Sequence, residues 1–506
     1  MKAGIRHRVS ASVLLGPCIL LATSCLIGPK YHRPSAPTPA APNYKESTVN
    51  FQDTEGWKVA NPQEGMLRGK WWEIFNDPEL NALEDQLEIN NQNIKEYFED
   101  LMEARALVRE AHAQYWPTVT ANPTWSRQKS SGTLTNSTEA NTGQTSTFMS
   151  FPIEISWIPD LWGKIRNEVR QAQYGAQVSA ADLENERLTE QASLAAYYFE
   201  IRGQDGLEKI LDETVKADQQ ALDVTKAAYD TGVGDYISVM EAQTALESAQ
   251  STQINLRIAR AQYEHAIAML VGKVATDFSI PFKPELTAPP AIPVGVPSEL
   301  LQRRPDIAAA ERTLAEANAT IGIGYGAFFP AVTLSAEGGV QSSTFAKWFT
   351  WPSRFWSIGP SISQTIFNGG LYRAELNQYV AIYNADVAAY RQTVLTAFEQ
   401  VEDNLAGVRI YSQQIEHQQA AVNHAQESLK LEMGRYETGI DPYIDVVTAQ
   451  TTLLSDQQVL ATIQIERMTA AVSLIEALGG GWDISQLPTP SQLGGKPAHS
   501  ETVLQR

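Results

Sequence analysis

The sequence predicts a mainly α-helical chain with a small β part, built as a helix–strand–strand–helix–helix unit that occurs twice. Three observations carry this. The stretch Tyr229-Asp-Thr-Gly-Val-Gly-Asp-Tyr-Ile-Ser-Val-Met-Glu-Ala-Gln-Thr-Ala-Leu246 returns without a gap as Tyr436-Glu-Thr-Gly-Ile-Asp-Pro-Tyr-Ile-Asp-Val-Val-Thr-Ala-Gln-Thr-Thr-Leu453, a spacing of 207 residues (436 − 229). Internal repeats of this kind set an architecture before any finer signal does. Each half also holds one very long helical pattern, from about Lys164 to Asp230 and from about Gly370 to Thr438. At 1.5 Å per residue each would reach roughly 100 Å, so it must pack sideways on other helices. Finally, each half contains two short segments of apolar–polar alternation, the period of a strand with one face in an apolar medium and the other in water.

The N-terminus reads as an export signal. Lys2, Arg6 and Arg8 precede an apolar run from Val9 to Leu21, too short for a stable membrane helix, which needs about 20 residues. The run ends in Leu21-Ala-Thr-Ser-Cys25. Residues 1–24 are therefore expected to be removed and Cys25 to be acylated as the first residue of a lipoprotein. Ala22 stands where a lipobox commonly has leucine, and ordinary cleavage beside an idle cysteine is the plainer alternative. Cys18 falls in the removed part, leaving one thiol and no internal disulfide. No acidic residue directly follows Cys25, which by resemblance to lipoprotein sorting favours the outer membrane.

Residues 25–78 form a proline-rich extended linker, with Pro29, Pro34, Pro37, Pro39 and Pro42. Asp77 and Pro78 fit the N-cap and first position of a helix. The first repeat, 79–278, opens with a helix to Tyr115 that stops at Pro117. Strands follow at Thr118–Trp125 and Phe148–Trp157, where Val119, Ala121 and Trp125, then Met149, Phe151, Ile153, Ile155 and Trp157, hold the apolar positions. The polar segment 126–147 joins them as a solvated loop. The long helix then runs to a tight turn at Gly232, a residue that tolerates a left-handed cap, and a shorter helix from Tyr236 to Val271 returns. A proline-rich segment, 279–297, links to the second repeat, 298–481.

The second repeat keeps the order. A helix from Ser298 to Ala327 leads into a strand at Ala331–Glu337, and a returning strand spans Trp356–Ile366. The loop between them carries Phe345, Trp348, Phe349, Trp351 and Phe355, fit for an interfacial girdle. The long helix, a turn at Gly439 and a shorter helix to Ala477 complete it, and 482–506 is expected to be a flexible tail. The shorter helices should stack end to end along each long one.

Composition narrows the function classes. Acidic residues number 58 against 39 basic, a net charge of −19, which disfavours nucleic acid as a partner. His417 and His424 lie on a helix without metal-site spacing. Gly322, Gly324 and Gly326 precede a strand instead of opening a helix, so they read as flexible joints and not as a phosphate loop. No catalytic nucleophile or cofactor motif is present, and an enzyme is not expected. Four strands cannot close a barrel, and an open sheet edge cannot face lipid. The chain must therefore pool strands with copies of itself: two copies would give a filled barrel, and more would leave a lumen. An ordinary soluble sheet with the aromatics in a core is the alternative on patterning alone.

The tip repeats, Pro297-Ser-Glu-Leu-Leu-Gln-Arg-Arg-Pro-Asp-Ile307, Phe328-Phe-Pro330, Glu476-Ala-Leu-Gly-Gly-Gly-Trp482 and Cys25-Leu-Ile-Gly-Pro-Lys-Tyr31 together resemble the TolC-type outer-membrane factors, in the lipoprotein branch typified by OprM and NodT. The resemblance implies a homotrimer with a twelve-stranded outer-membrane β-barrel continuous with an α-helical barrel crossing the periplasm. It implies an exit duct for efflux, fed by an inner-membrane pump of the RND type through a periplasmic adaptor. A type I polypeptide secretion channel is the transport alternative, and a non-conducting periplasmic scaffold is the structural one. Among site residues, Asp445 matches an acidic position ringing the periplasmic aperture. Thr448 stands at a second such position, and Ser238 is the first-half counterpart. Tyr436 matches a tyrosine of the closed-state lock, and Asp441 stands where TolC has a basic latch residue. Three Asp445 carboxylates would repel one another and attract cations; a plain helix N-terminal carboxylate explains the residue equally well. Gly232, Val233, Glu437, Thr438 and Gly439 are the expected mouth and adaptor contact.

Overall fold

The computed structural model describes residues 26–37, 44–46, 69–129, 131, 145–285, 287–295 and 297–494. Cys25 and the export signal lie outside the described residues. The helices are α1 (Pro78–Asn90), α2 (Gln92–Ala113), α3 (Lys164–Asp230), α4 (Tyr236–Leu270), α5 (Leu300–Arg303), α6 (Pro305–Gly326), α7 (Leu371–Glu437), α8 (Tyr443–Ala477) and α9 (Pro490–Leu493). The strands are β1 (Thr118–Ala121), β2 (Thr124–Lys129), β3 (Thr145–Trp157), β4 (Ala331–Ser342) and β5 (Arg354–Ser363). The helices α3 and α7 have 67 residues each, and α4 and α8 have 35 each. Both pairs are offset by the same 207 residues as the tip motifs.

The shorter helices do stack end to end beside the long ones. The helix expected over 79–115 breaks at Asn91, whose backbone leaves helical geometry at φ −57°, ψ 131°. Its buried side chain accepts from Ile94 N at 3.0 Å and donates to Leu270 O at 3.1 Å, so one residue caps both α2 and the end of α4. The helix expected over 298–327 breaks before Pro305, because a residue preceding proline is pushed out of the α region; Arg304 is extended there. Its guanidinium donates to Ala477 O at 3.1 Å and so ends α8. Around these two junctions lie the main cores. One joins Trp71, Trp72, Leu80, Leu87, Tyr198 and Ile201 to Met468 and Ile475; the other joins Ile307 and Leu314 to Tyr390, Val394, Val401 and Leu474.

Several sequence expectations change. Trp71 and Trp72 sit in the core on a 3-10 turn, not in a linker. The described part of 25–46 is strapped to the second-repeat helices, through Tyr31 Oη to Glu311 Oε1 at 2.5 Å, Arg33 Nη2 to Tyr390 Oη at 3.0 Å and Lys45 N to Glu402 Oε1 at 2.7 Å. The tail is not free over 482–494: Leu493 is buried against Val108 and Ala176, and Gln177 donates to Pro488 O at 2.9 Å. Gly322 and Gly324 are not flexible joints. They lie inside α6, where a Cβ would stand 2.5 Å from Asn167 Nδ2 and 2.8 Å from the Tyr379 ring, so their role is close packing.

The strands form one antiparallel sheet in the order β1–β3–β4–β5, with β2 also on β3. The first expected strand is interrupted at Asn122 and Pro123, since proline has no N–H for the ladder. Its register is unbroken, from Val119 opposite Ile155 to Trp125 opposite Met149. β3 starts at Thr145, inside the expected loop, and β4 runs five residues past Glu337. β5 ends at Ser363, leaving Ile366 beyond the strand.

Candidate functional site

Two regions concentrate the functional residues: the sheet, and the two hairpin tips at the far end of the helices. In the sheet, directly opposed residues share a face, and the registers are regular throughout. One face therefore collects Val119, Ala121, Trp125, Met149, Phe151, Ile153, Ile155, Trp157, Leu334, Ala336, Val340, Trp356, Ile358 and Ile362. The opposite face is mostly polar, with Thr118, Thr120, Thr124, Ser150, Glu154, Ser156, Ser335, Glu337, Ser357, Ser361 and Ser363 beside Phe148, Pro152 and Phe355. Most side chains of the apolar face are uncovered, Val119 at 61 %, Trp356 at 78 % and Ile358 at 73 % exposed, whereas Met149 is buried at 3 % and Phe151, Ala336 and Val340 are half-buried. A two-faced sheet with a bare apolar side suits contact with hydrocarbon. Among the described residues, β5 and the β1–β2 strand each have one edge without a partner.

At the tips both long helices end through glycine. Gly232 has φ 76° and Gly439 φ 72°. The following amides reach back, Val233 N to Ala228 O at 3.0 Å and Ile440 N to Arg435 O at 2.9 Å, which satisfies the last carbonyls. The next helices start differently. Asp235 caps α4 by accepting from Ser238 N at 2.7 Å, whereas Pro442 precedes α8 without a side-chain cap. The two hairpins meet in a small core of Leu222, Val239, Ala242, Leu246, Tyr443 and Val446. Tyr436 packs beside it with its ring 5.2 Å from that of Tyr443. Burial pushes the Tyr436 phenol up, and burial together with Asp218 and Tyr436 raises Tyr443 to about 12.

The polar chemistry of the tips belongs to the second one. Arg435 clasps Asp441, with Nη2 2.9 Å from Oδ1, and this guanidinium holds the Asp441 carboxyl below its usual range. The carboxylates of Glu432, Asp441 and Asp445 converge, with one oxygen of each within 4.8 Å of the others. The aligned first-tip positions are Thr225, Gly234 and Ser238, and Ala228 stands in place of Arg435. The structure thus brings Asp441 and Asp445 together. Ser238 sits in the neighbouring hairpin, and Thr448 lies one turn further along α8, its hydroxyl bonded to Ile444 O at 2.8 Å. Gly232, Val233, Glu437, Thr438 and Gly439 are all exposed at the turns. Sequence reasoning missed Glu432 and Arg435, which precede the repeat motif. It also missed Ile440, the repeat partner of Val233; these two are 66 % and 87 % exposed, and the alignment itself held that signal.

Comparison with known proteins agrees with this geometry. Two relatives from Pseudomonas putida, the antibiotic efflux pump outer membrane protein ArpC and the toluene efflux pump outer membrane protein TtgC, are each 30% identical over 470 residues, covering 93% of this chain and 94% of theirs. The solved structure of the outer-membrane channel OprN covers 90% of this chain and 100% of its own, at 27% identity and a TM-score of 0.80. The resemblance to TolC-type factors is borne out. With the family model for outer membrane efflux proteins matching residues 83–273 and 296–480, this chain belongs to the outer membrane efflux protein family.

Proposed function

We propose that the protein is the outer-membrane exit duct of a tripartite efflux system, a passive conduit that receives substrates from a periplasmic adaptor and an inner-membrane pump of the RND type. The observation that carries this is the sheet: one face apolar and largely bare, the other mostly polar, and both edges open among the described residues. An open edge leaves unpaired N–H and C=O groups that hydrocarbon cannot satisfy. Edge-to-edge pairing of β5 with the β1–β2 strand of another copy removes both edges at once. With four strand positions per chain, three copies make a twelve-stranded barrel with an aqueous lumen, and the equal helix lengths support a duplicated unit lining one tunnel.

Lipid anchoring fits the path of the N-terminus. Ile27 N bonds to Trp162 O at 3.2 Å, and Asn167 donates to Ile27 O at 3.1 Å. Both contacts lie where β3 passes into α3, so an acyl chain on Cys25 would start at the membrane end of the helices. At the opposite end, the tips with Gly232, Val233, Glu437, Thr438, Gly439 and Ile440 form the adaptor contact. Asp445, with Asp441 and Glu432, supplies negative charge at the aperture, while Tyr436 locks the second hairpin to the first. The named relatives are efflux components, which favours drug or solvent efflux over polypeptide secretion.

Planar-bilayer recording of the purified protein tests this. A trimer passing cation-selective current is expected, and Asp445→Ala should reduce the cation preference. A monomer that stays out of lipid, or an assembled trimer that passes no current after Tyr436→Phe and Asp441→Asn, refutes the duct.

A further inference from the structure

Five charged residues occur in the described strands, and the register sorts them by sign. Glu154 and Glu337 oppose each other on the polar face. Arg127 and Lys129 share the apolar face with Trp125, and Arg354, opposite Val340, is on that face too. All three cations lie at the strand ends away from the helices, since β2 ends at Lys129 and β5 begins at Arg354, although the register sets Arg354 level with Val340 and Phe151, two residues nearer the helices than Trp125. Arg127 and Lys129 stand about 7 Å and 13 Å beyond the level of Trp125, from a rise near 3.3 Å per residue. Arg127 and Lys129 are therefore just past the apolar band, at the depth where lipid headgroups begin, and the long Arg354 side chain starts at the edge of that band.

Among the described residues these cations are not spent on carboxylates. All three are exposed, and none has an ion pair among the described residues. Arg354 only stacks on Trp351, its guanidinium carbon 3.6 Å from the ring centroid. Aromatic rings that hold a guanidinium at the rim leave its N–H donors pointing to whatever lies outside. In a chain of net charge −19, an all-cationic rim on an apolar face is specific to its neighbour. The arrangement is also distributed over both free edges: Arg354 on β5, Arg127 and Lys129 on β2. The edge pairing proposed above would place β5 and β2, and so both groups of cations, at the same seam between copies.

We propose that this rim is a binding surface for the phosphate groups of the outer-leaflet glycolipid, with Arg127, Lys129 and Arg354 as its donors and the flanking Trp125, Trp351 and Trp356 against its acyl and sugar parts. The proposal rests on reading the sheet as a membrane wall. Guanidinium and ammonium groups at a headgroup plane select anionic over zwitterionic lipid, by about fivefold per cation. The surface ties the barrel to the external leaflet at the seams, where copies meet and the wall is weakest.

The test uses the full purified protein in phosphatidylcholine vesicles that contain bisphosphorylated lipid A. After re-extraction, native mass spectrometry counts lipid A retained per trimer. Wild type should retain lipid A in preference to its phosphate-free analogue and to phosphatidylglycerol. Each of Arg127→Gln, Lys129→Gln and Arg354→Gln should lower retention about fivefold, and the triple variant should lose it. Glu337→Gln, on the polar face, should match wild type, and far-UV circular dichroism checks that each variant is folded. Equal retention by a folded triple variant, or no preference for the phosphorylated lipid, overturns the binding surface. Retention of phosphatidylglycerol equal to lipid A overturns the glycolipid assignment. A protein that does not enter vesicles at all refutes the membrane wall itself, and the surface with it.

Discussion

Truncation of one tyrosine should separate the two hairpins at their tips. Tyr443 and Tyr236 occupy the same repeat position, yet Tyr443 is 2 % exposed and Tyr236 56 %. Tyr443 fills the core shared by α3, α4 and α8, against Leu222, Val239, Leu246 and Val446, and its ring also meets Tyr436. Removing a buried aromatic ring costs about 3–5 kcal/mol. That loss falls on the contact between hairpins, because α7 and α8 remain joined along the rest of their length. If closed and open packings differ by a few kcal/mol, as bistable elements do, Tyr443→Ala moves the balance by about 150-fold or more. Single-channel recording should show a larger and longer-lived open state, and cells should become permeable to a bulky antibiotic. Tyr236→Ala serves as the internal control and should change conductance far less. An assembled Tyr443→Ala protein with wild-type conductance, or a Tyr236→Ala protein that opens equally, would refute the assignment of the tip contact to this core.

Two further expectations concern stability. Glu84 on α1 is fully buried, neither carboxylate oxygen has a hydrogen-bond partner among the described residues, and burial raises its pKa well above the ordinary value of 4.5. An acid whose folded-state pKa is raised loses stability as pH rises from that ordinary value towards the folded one, by up to about 1.4 kcal/mol per pH unit. Glu84→Leu should therefore raise the thermal midpoint, and more at pH 8 than at pH 5; a pH-independent gain would contradict the buried, neutral carboxyl. Gly479 has φ 93°, and a Cβ there would lie 1.9 Å from the Arg303 carbonyl oxygen. Gly479→Ala should cost about 2–4 kcal/mol through strain and overpacking, read as a lowered midpoint in denaturant, whereas Gly439→Ala, with open space around it, should cost less.

The sequence alone determined the duplication signal and most of the helical lengths. An identity repeated at one spacing fixes both tips, and Lys164–Asp230 emerged with the bounds its periodicity implied. It also determined which strand residues are apolar, because alternation is a local property of successive side chains. The tertiary structure decided what local pattern cannot encode. Asn91 and Arg304 end helices they do not belong to, since their partners, Leu270 O and Ala477 O, are more than 170 residues away. Two strands matched in sequence become a sorted wall only when register sets Glu154 against Glu337 and leaves Arg127 and Lys129 on the other side. Equivalent tyrosines part company for the same reason: burial depends on which neighbour arrives across the bundle, and the repeat specifies the helix but not its neighbour.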